Sequence, residues 1–245
     1  MIETIKKALR GRHNSLRYKF FVLPREWLIY FLAYRLRGRS WVDFYAHRLD
    51  AYVAGDANRP VSQRYLGGGQ IHRDYLVAHG LLAHHRLLDF GCGMLRSGLH
   101  FIRYLDDNRY VGVDISGHRV ERGIRLLSDH GIPADRFETH VVGDCRLREL
   151  TGQTFDYVWA NSVVTHMPES DVRTAFRAIR GLLAPDGAFY FTFAEADRRR
   201  RMNIKDFWYT RADMQALCAD CGLDFAVQED WRDRGDVMVC ARRAN

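Results

Sequence analysis

Gly91 and Gly93 flank Cys92 just after the apolar run Leu87-Leu88-Asp89-Phe90, and Asp114 closes Val111-Gly112-Val113 21 residues after Gly93. Those residue types at that spacing can hold a nucleoside. Glycines let the backbone approach a ligand where a Cβ would clash. The turn delivers backbone N–H groups at the start of the next helix. An acid about 20 residues further on can accept from two ribose hydroxyls. A later acid, Asp144 in Val141-Val142-Gly143-Asp144-Cys145, can accept from an adenine amino group while the next backbone N–H donates to the ring. These residues point to an adenosine-bearing cofactor. The pattern Gly91-x-Gly93-x-x-Arg96 lacks the third glycine of the dinucleotide fingerprint.

The elements that must position these groups follow from a regular alternation after residue 86. The patterning predicts strands at 86–90, 110–114, 138–143, 155–160, 187–194, 223–229 and 236–242. Helices are predicted at 95–105, 117–131, 169–184 and 210–221. Strands alternating with helices imply a doubly wound α/β domain with a parallel sheet. The short link from Glu229 to Gly235 implies that the last two strands form an antiparallel hairpin. Upstream, Pro24, Glu26, Arg35, Arg37 and Gly38 mark a helix over 24–37, apolar nearly all round. Such a helix must be covered, by its own domain, by a membrane surface or by a second subunit. Residues 41–66 are expected to be helical up to the Arg59-Pro60 break, and Gly67-Gly68-Gly69-Gln70-Ile71-His72-Arg73 to be a flexible loop, either a hinge or a lid over the cofactor.

The net charge of +7 is unevenly spread. Residues 1–50 hold 11 basic and 4 acidic side chains, and the remaining 195 hold 26 of each. The basicity therefore belongs to a helical N-terminal extension, residues 1–61, and not to the nucleotide-binding domain, residues 62–245. A neutral body offers little attraction to nucleic acid, and no such partner is expected. Five cysteines in no disulfide spacing, and no secretory pattern, indicate a cytoplasmic protein with reduced thiols. The longest apolar run, Trp27 to Tyr34, is far shorter than the ~20 residues of a membrane span. Basic, apolar residues 16–39 instead suggest peripheral contact with the inner face of a membrane. Cys218-x-x-Cys221 has no second ligand pair nearby, and no metal is expected.

Five ordered segments, LLDFGCG, VGVD, VVGDC, FDYVWANSVVTH and LAPDGAFYF, resemble the class I S-adenosylmethionine-dependent methyltransferases over about residues 62–242. The resemblance implies a seven-stranded, mostly parallel sheet of order 3-2-1-4-5-7-6 with strand 7 antiparallel, and S-adenosyl-L-methionine as cofactor. It implies that Asp89, Gly91, Cys92 and Gly93 line the methionine half, with Cys92 as a small packing residue. Asp114 would bind the ribose, Ile115 the adenine face, Asp144 and Cys145 the adenine edge, and Asn161 the amino-acid end. Arg96 would either pair with the cofactor carboxylate or simply fix the turn. The Gly-Cys-Gly-Met-Leu-Arg turn departs from the commoner form, which has a third glycine two residues after the second. With Ser162-Val163-Val164-Thr165-His166 it is similar to a subgroup tied to glycan and cell-envelope biosynthesis.

Methyl transfer needs alignment above all, and a hydroxyl acceptor also benefits from a base. His166, after strand 4, is the leading base candidate, against a capping or contact role; His72 is second. Arg198 and Arg199, in the run Arg198 to Arg201, could hold an acidic group of the acceptor, and Trp208 and Tyr209 could wall its pocket. The competing readings are a solvated loop and helix packing. The expected activity is O-methylation of a small molecule or glycan. The alternatives are an NAD-dependent oxidoreductase and a non-catalytic cofactor-binding or membrane-associated protein.

Overall fold

The structure is a computed structural model that describes residues 23–55, 61–233 and 235–244. Its sheet has seven strands in the order β3-β2-β1-β4-β5-β9-β8. They are β1 (Leu87–Phe90), β2 (Tyr110–Asp114), β3 (Phe137–Val141), β4 (Phe155–Ala160), β5 (Leu183–Phe193), β8 (Ala226–Gln228) and β9 (Val237–Ala241). β1 to β5 run parallel, and β9 is antiparallel to both neighbours, as the short link before it requires. Two short strands, β6 (Arg200–Arg201) and β7 (Phe207–Trp208), form a separate hairpin that no periodicity announced.

β1 and β2 are buried along their whole length, which is why they read as unbroken apolar runs. One face is covered by α6 (Glu169–Leu182) and α7 (Arg211–Asp220), the other by α3 (Gln63–Ala78), α4 (Gly98–Tyr104) and α5 (Gly117–Asp129). In α6, Val172, Ala175, Phe176 and Ile179 repeat at helical spacing and pack against Phe189 and Phe191 of β5. Val172, Phe176 and Ile179 removed from water contribute about 1.5–3 kcal/mol each. Ser116 caps α5, and Thr210 with Asp213 forms a capping box on α7.

The structure departs from the sequence expectation at the triple glycine and in the N-terminal extension. Its first helix, α1 (Leu23–Ala33), is followed by a 3₁₀ turn, Arg35–Arg37, and by Gly38 in the left-handed conformation. The next helix, α2 (Trp41–Ala54), starts at a Ser40–Asp43 capping box and ends before the Arg59-Pro60 break, which lies outside the described residues, as do residues 1–22. The triple glycine is not a loop: Gly67, Gly68 and Gly69 lie inside α3, and so does His72. The reason is close approach. A Cβ on Gly69 would stand 2.1 Å from the Arg96 carbonyl oxygen, so glycine lets α3 lie directly on the turn after β1.

Candidate active site

A cavity of about 580 Å³ opens where β1, β2 and β4 end, the edge at which ligands bind in doubly wound sheets. Its floor is the turn after β1. Gly91 and Gly93 take φ of 79° and 57°, and Leu95 follows at 54°. Leu95 therefore adopts the backbone that the commoner third glycine would supply, and its side chain is fully buried.

Asp114 sits on this turn. Gly93 N–H donates to its Oδ2 at 2.8 Å and Ser116 N–H to its Oδ1 at 2.9 Å. An ionised carboxylate offers about four lone-pair positions, so two remain for hydroxyls. Arg119 comes within 3.7 Å of the same carboxylate and also lines the cavity. Asp89 is 4% exposed and lines the cavity, with Tyr110 O–H donating to it at 2.8 Å. Burial pushes its carboxyl up to about 7; the Tyr110 bond and the Arg96 charge lower it and the Asp114 charge raises it. A cationic ligand group would relieve that buried acid. Arg96 lies over the Tyr65 ring, 5.2 Å from its centroid, with Gly68 leaving room beside the guanidinium.

The opposite wall is built from distant segments. His166 ends a short 3₁₀ turn after β4, and its Nδ1 is 2.9 Å from Asp206, on the β6–β7 connection. Burial opposes the Asp206 charge, but bonds from His166, Lys205 and Asn203 and the Lys205 charge hold its carboxyl well below the usual range. An Nδ1–H donated to a carboxylate leaves Nε2 as the basic nitrogen. Tyr45 of α2 packs on the imidazole, ring centroids 5.4 Å apart, and Trp41 Nε1 donates to the His166 carbonyl at 3.0 Å. His72 is held differently. It is buried, its Nδ1 meets Ser97 Oγ at 2.7 Å, and its Nε2 accepts from the Asn161 amide at 3.0 Å. Thr192 O–H donates to the Asn161 carbonyl oxygen, which turns the amide nitrogen toward His72.

Residues 88–189 match the family described as a methyltransferase domain. The match spans β1 to β5, the strands around the cavity. The chain is 32% identical over 146 residues to an arsenite methyltransferase of Aquipseudomonas alcaligenes, covering 57% of this chain and 39% of that protein. It is 30% identical over 107 residues to the uncharacterized methyltransferase YcgJ of Bacillus subtilis, covering 44% of this chain and 40% of that one. The chain thus spans about two fifths of these curated relatives. The crystal structure of magnesium protoporphyrin IX methyltransferase from Synechocystis PCC 6803 with bound SAM superposes with a TM-score of 0.64 at 16% identity, covering 84% of this chain and 98% of that one. That likeness is one of fold: the Rossmann-like sheet of S-adenosylmethionine-dependent methyltransferases.

The cavity gathers Asp89, Gly91, Cys92, Arg96, Asp114, Ile115, Cys145, Asn161, His72 and His166. Asp144 stands outside that wall, its carboxylate accepting from Arg146 N–H at 2.7 Å, while Val142 and Cys145 of the same segment line it. The four residues expected at the acceptor lie elsewhere. Arg198 is exposed, and Arg199 pairs with Glu169. Trp208 lies under Arg200, and Tyr209 is buried with its hydroxyl donating to the Met167 carbonyl at 2.9 Å. Sequence reasoning missed Trp41, Tyr45 and Arg119 on the cavity wall and Asp206 behind His166. Asp206 lies between the arginine run and the aromatics, and only its juxtaposition with His166 marks it.

Proposed function

We propose that this chain is an S-adenosylmethionine-dependent O-methyltransferase of a small hydroxyl-bearing acceptor, glycans included. The observation that carries the oxygen assignment is the His166–Asp206 pair at the cavity wall. The residues fit the cofactor. Asp114 has lone pairs left for the ribose, Ile115 and Val142 offer apolar contact for the adenine, and buried Asp89 suits a ligand with a cationic amino group. Arg96 would face its carboxylate. When bound, the cofactor supplies a sulfonium methyl already activated for in-line displacement.

His166 Nε2 would accept the proton of an acceptor hydroxyl as that oxygen takes the methyl group the bound cofactor would supply. Asp206 holds the imidazole in the tautomer that this step needs. Trp41, Tyr45 and Met167 keep water from the reacting atoms. Both ring nitrogens of His72 are engaged with neighbours, so it serves to fix Asn161 and the turn. The glycan part rests on the Gly-Cys-Gly-Met-Leu-Arg turn and the Ser-Val-Val-Thr-His segment. The relatives do not narrow the acceptor, since their names range from arsenite to a magnesium porphyrin.

Calorimetry with S-adenosylhomocysteine, beside Asp114→Asn and beside NAD, tests the cofactor. Micromolar binding that is lost in the variant and absent for NAD supports the reading, and NAD binding alone would replace it with a dehydrogenase. A methyl-transfer screen over sugars, lipid-linked glycans and phenols then tests the acceptor. Turnover confined to amines or carbon acids would sink the oxygen assignment.

A further inference from the structure

We infer that α1 and the turn after it form a membrane-docking face that seats on anionic lipid headgroups. α1 buries none of its residues, although its sequence is almost wholly apolar. Tyr30 and Ala33 pack inward, against Tyr34, Trp41 and Phe44, and Trp27 faces Arg201. Leu28, Ile29, Phe31, Leu32 and Leu36 are 47–64% exposed, the largest run of exposed apolar side chains among the described residues. A soluble surface rarely leaves such a run to water.

Charge decides what covers it. Arg25, Arg35, Arg37 and Arg39 are all exposed on this segment, whereas its one acid, Glu26, is paired with Arg48 at 3.0 Å. Two copies brought face to face would juxtapose those arginines, so self-association is opposed. An anionic interface accepts both features, with the apolar side chains below the headgroups and the guanidinium groups among them. The helix is 11 residues long and no described helix can cross a bilayer, so the contact lies on the surface.

The face is fixed to the cavity. The Arg201 guanidinium sits 4.1 Å from the Trp27 ring centroid, 4.8 Å from that of Trp41 and 4.6 Å from that of Phe207. Trp41 in turn holds the His166 carbonyl. Docking through α1 therefore orients the wall that carries His166 relative to the bilayer.

Flotation of the full chain with phosphatidylcholine vesicles, with and without phosphatidylglycerol, tests this. Binding is expected with phosphatidylglycerol only and should weaken as salt rises. The double variant Leu28→Asp/Phe31→Asp should lower partitioning at least tenfold, because each apolar side chain withdrawn from water is worth about an order of magnitude. Arg35→Glu/Arg37→Glu should remove the preference for anionic lipid. Both variants change exposed side chains and should keep the S-adenosylhomocysteine affinity and melting temperature of the parent, which separates lost docking from lost folding. Absent binding to anionic vesicles, equal binding by the aspartate variant, or a dimer in light scattering that the aspartate variant disperses would each overturn the inference.

Discussion

Replacing Asp89 by asparagine should stabilise the free protein while weakening its hold on the cofactor. The amide is nearly the same shape and its oxygen can still accept from Tyr110, but it carries no charge. In the folded chain burial keeps the carboxyl protonated up to about 7, against an ordinary 3.8. Between those values the unfolded chain gives up the proton that the folded chain retains. The unfolded state then binds fewer protons, so stability falls as pH rises through the window. The loss accrues at ~1.4 kcal/mol per pH unit and reaches about 4 kcal/mol above the folded value. Relative to the parent, Asp89→Asn should gain about 1 kcal/mol near pH 4.5 and about 4 kcal/mol near pH 8, a difference of about 3 kcal/mol. Urea unfolding of both proteins at the two pH values measures it. Calorimetry should show S-adenosylhomocysteine binding at least tenfold weaker in the variant, because the amide cannot answer the ligand's ammonium with a charge. A stability difference that is flat in pH, or an asparagine variant less stable than the parent near pH 8, would refute the reasoning.

His166→Asn should lower kcat by about 10²–10⁴ with S-adenosylhomocysteine affinity unchanged, as expected for loss of a base outside the cofactor contacts. Asp206→Asn should act through the imidazole, with a loss of about tenfold to a hundredfold in kcat and S-adenosylhomocysteine affinity unchanged. Gly69→Ala should destabilise by about 1–3 kcal/mol, since its Cβ would meet the Arg96 carbonyl. Gly67→Ala in the same helix meets nothing within 4 Å and should stabilise by up to about 1 kcal/mol; thermal melts of the pair distinguish close packing from helix propensity. Arg201→Ala should release α1 from its aromatic box, read as faster hydrogen exchange over residues 23–40 with β1 and β2 unchanged.

The interior of the sheet was legible because its strands are buried on both faces, and burial writes an apolar run into the sequence. β1, β2 and β4 lie within a residue of the spans expected from Leu87, Tyr110 and Phe155. The cofactor side of the cavity was legible for a related reason: Gly91, Gly93 and Asp114 belong to one contiguous strand–turn–helix–strand unit. The far wall was not. Asp206 reaches His166 across 40 residues of sequence, and neither residue type nor spacing announces that contact. The triple glycine misled because glycine has two uses, freedom of the backbone and absence of a side chain, and here the second is the one employed at Gly69. Arginines 198 to 201 share a type but not a role: Arg199 makes an ion pair, Arg200 covers Trp208 and Arg201 fills an aromatic box.

The separation of His166 from Asp206 also sets an order of events during synthesis. Domains emerge from the ribosome N-terminus first. By residue 163 the glycine turn, Asp114, Ile115 and Val163 are all made, so the cofactor half of the cavity has its components. His166 does not have its partner: Asp206 is 40 residues further on, between β6 and β7, and β5 gains its outer neighbour only with β9. Trp41, made well before the histidine, and Asp206, made well after it, meet at the same residue. A chain arrested or cut before residue 200 would carry the glycine turn and Asp114 without the His166–Asp206 pair, so under the proposed function binding would be acquired before reactivity.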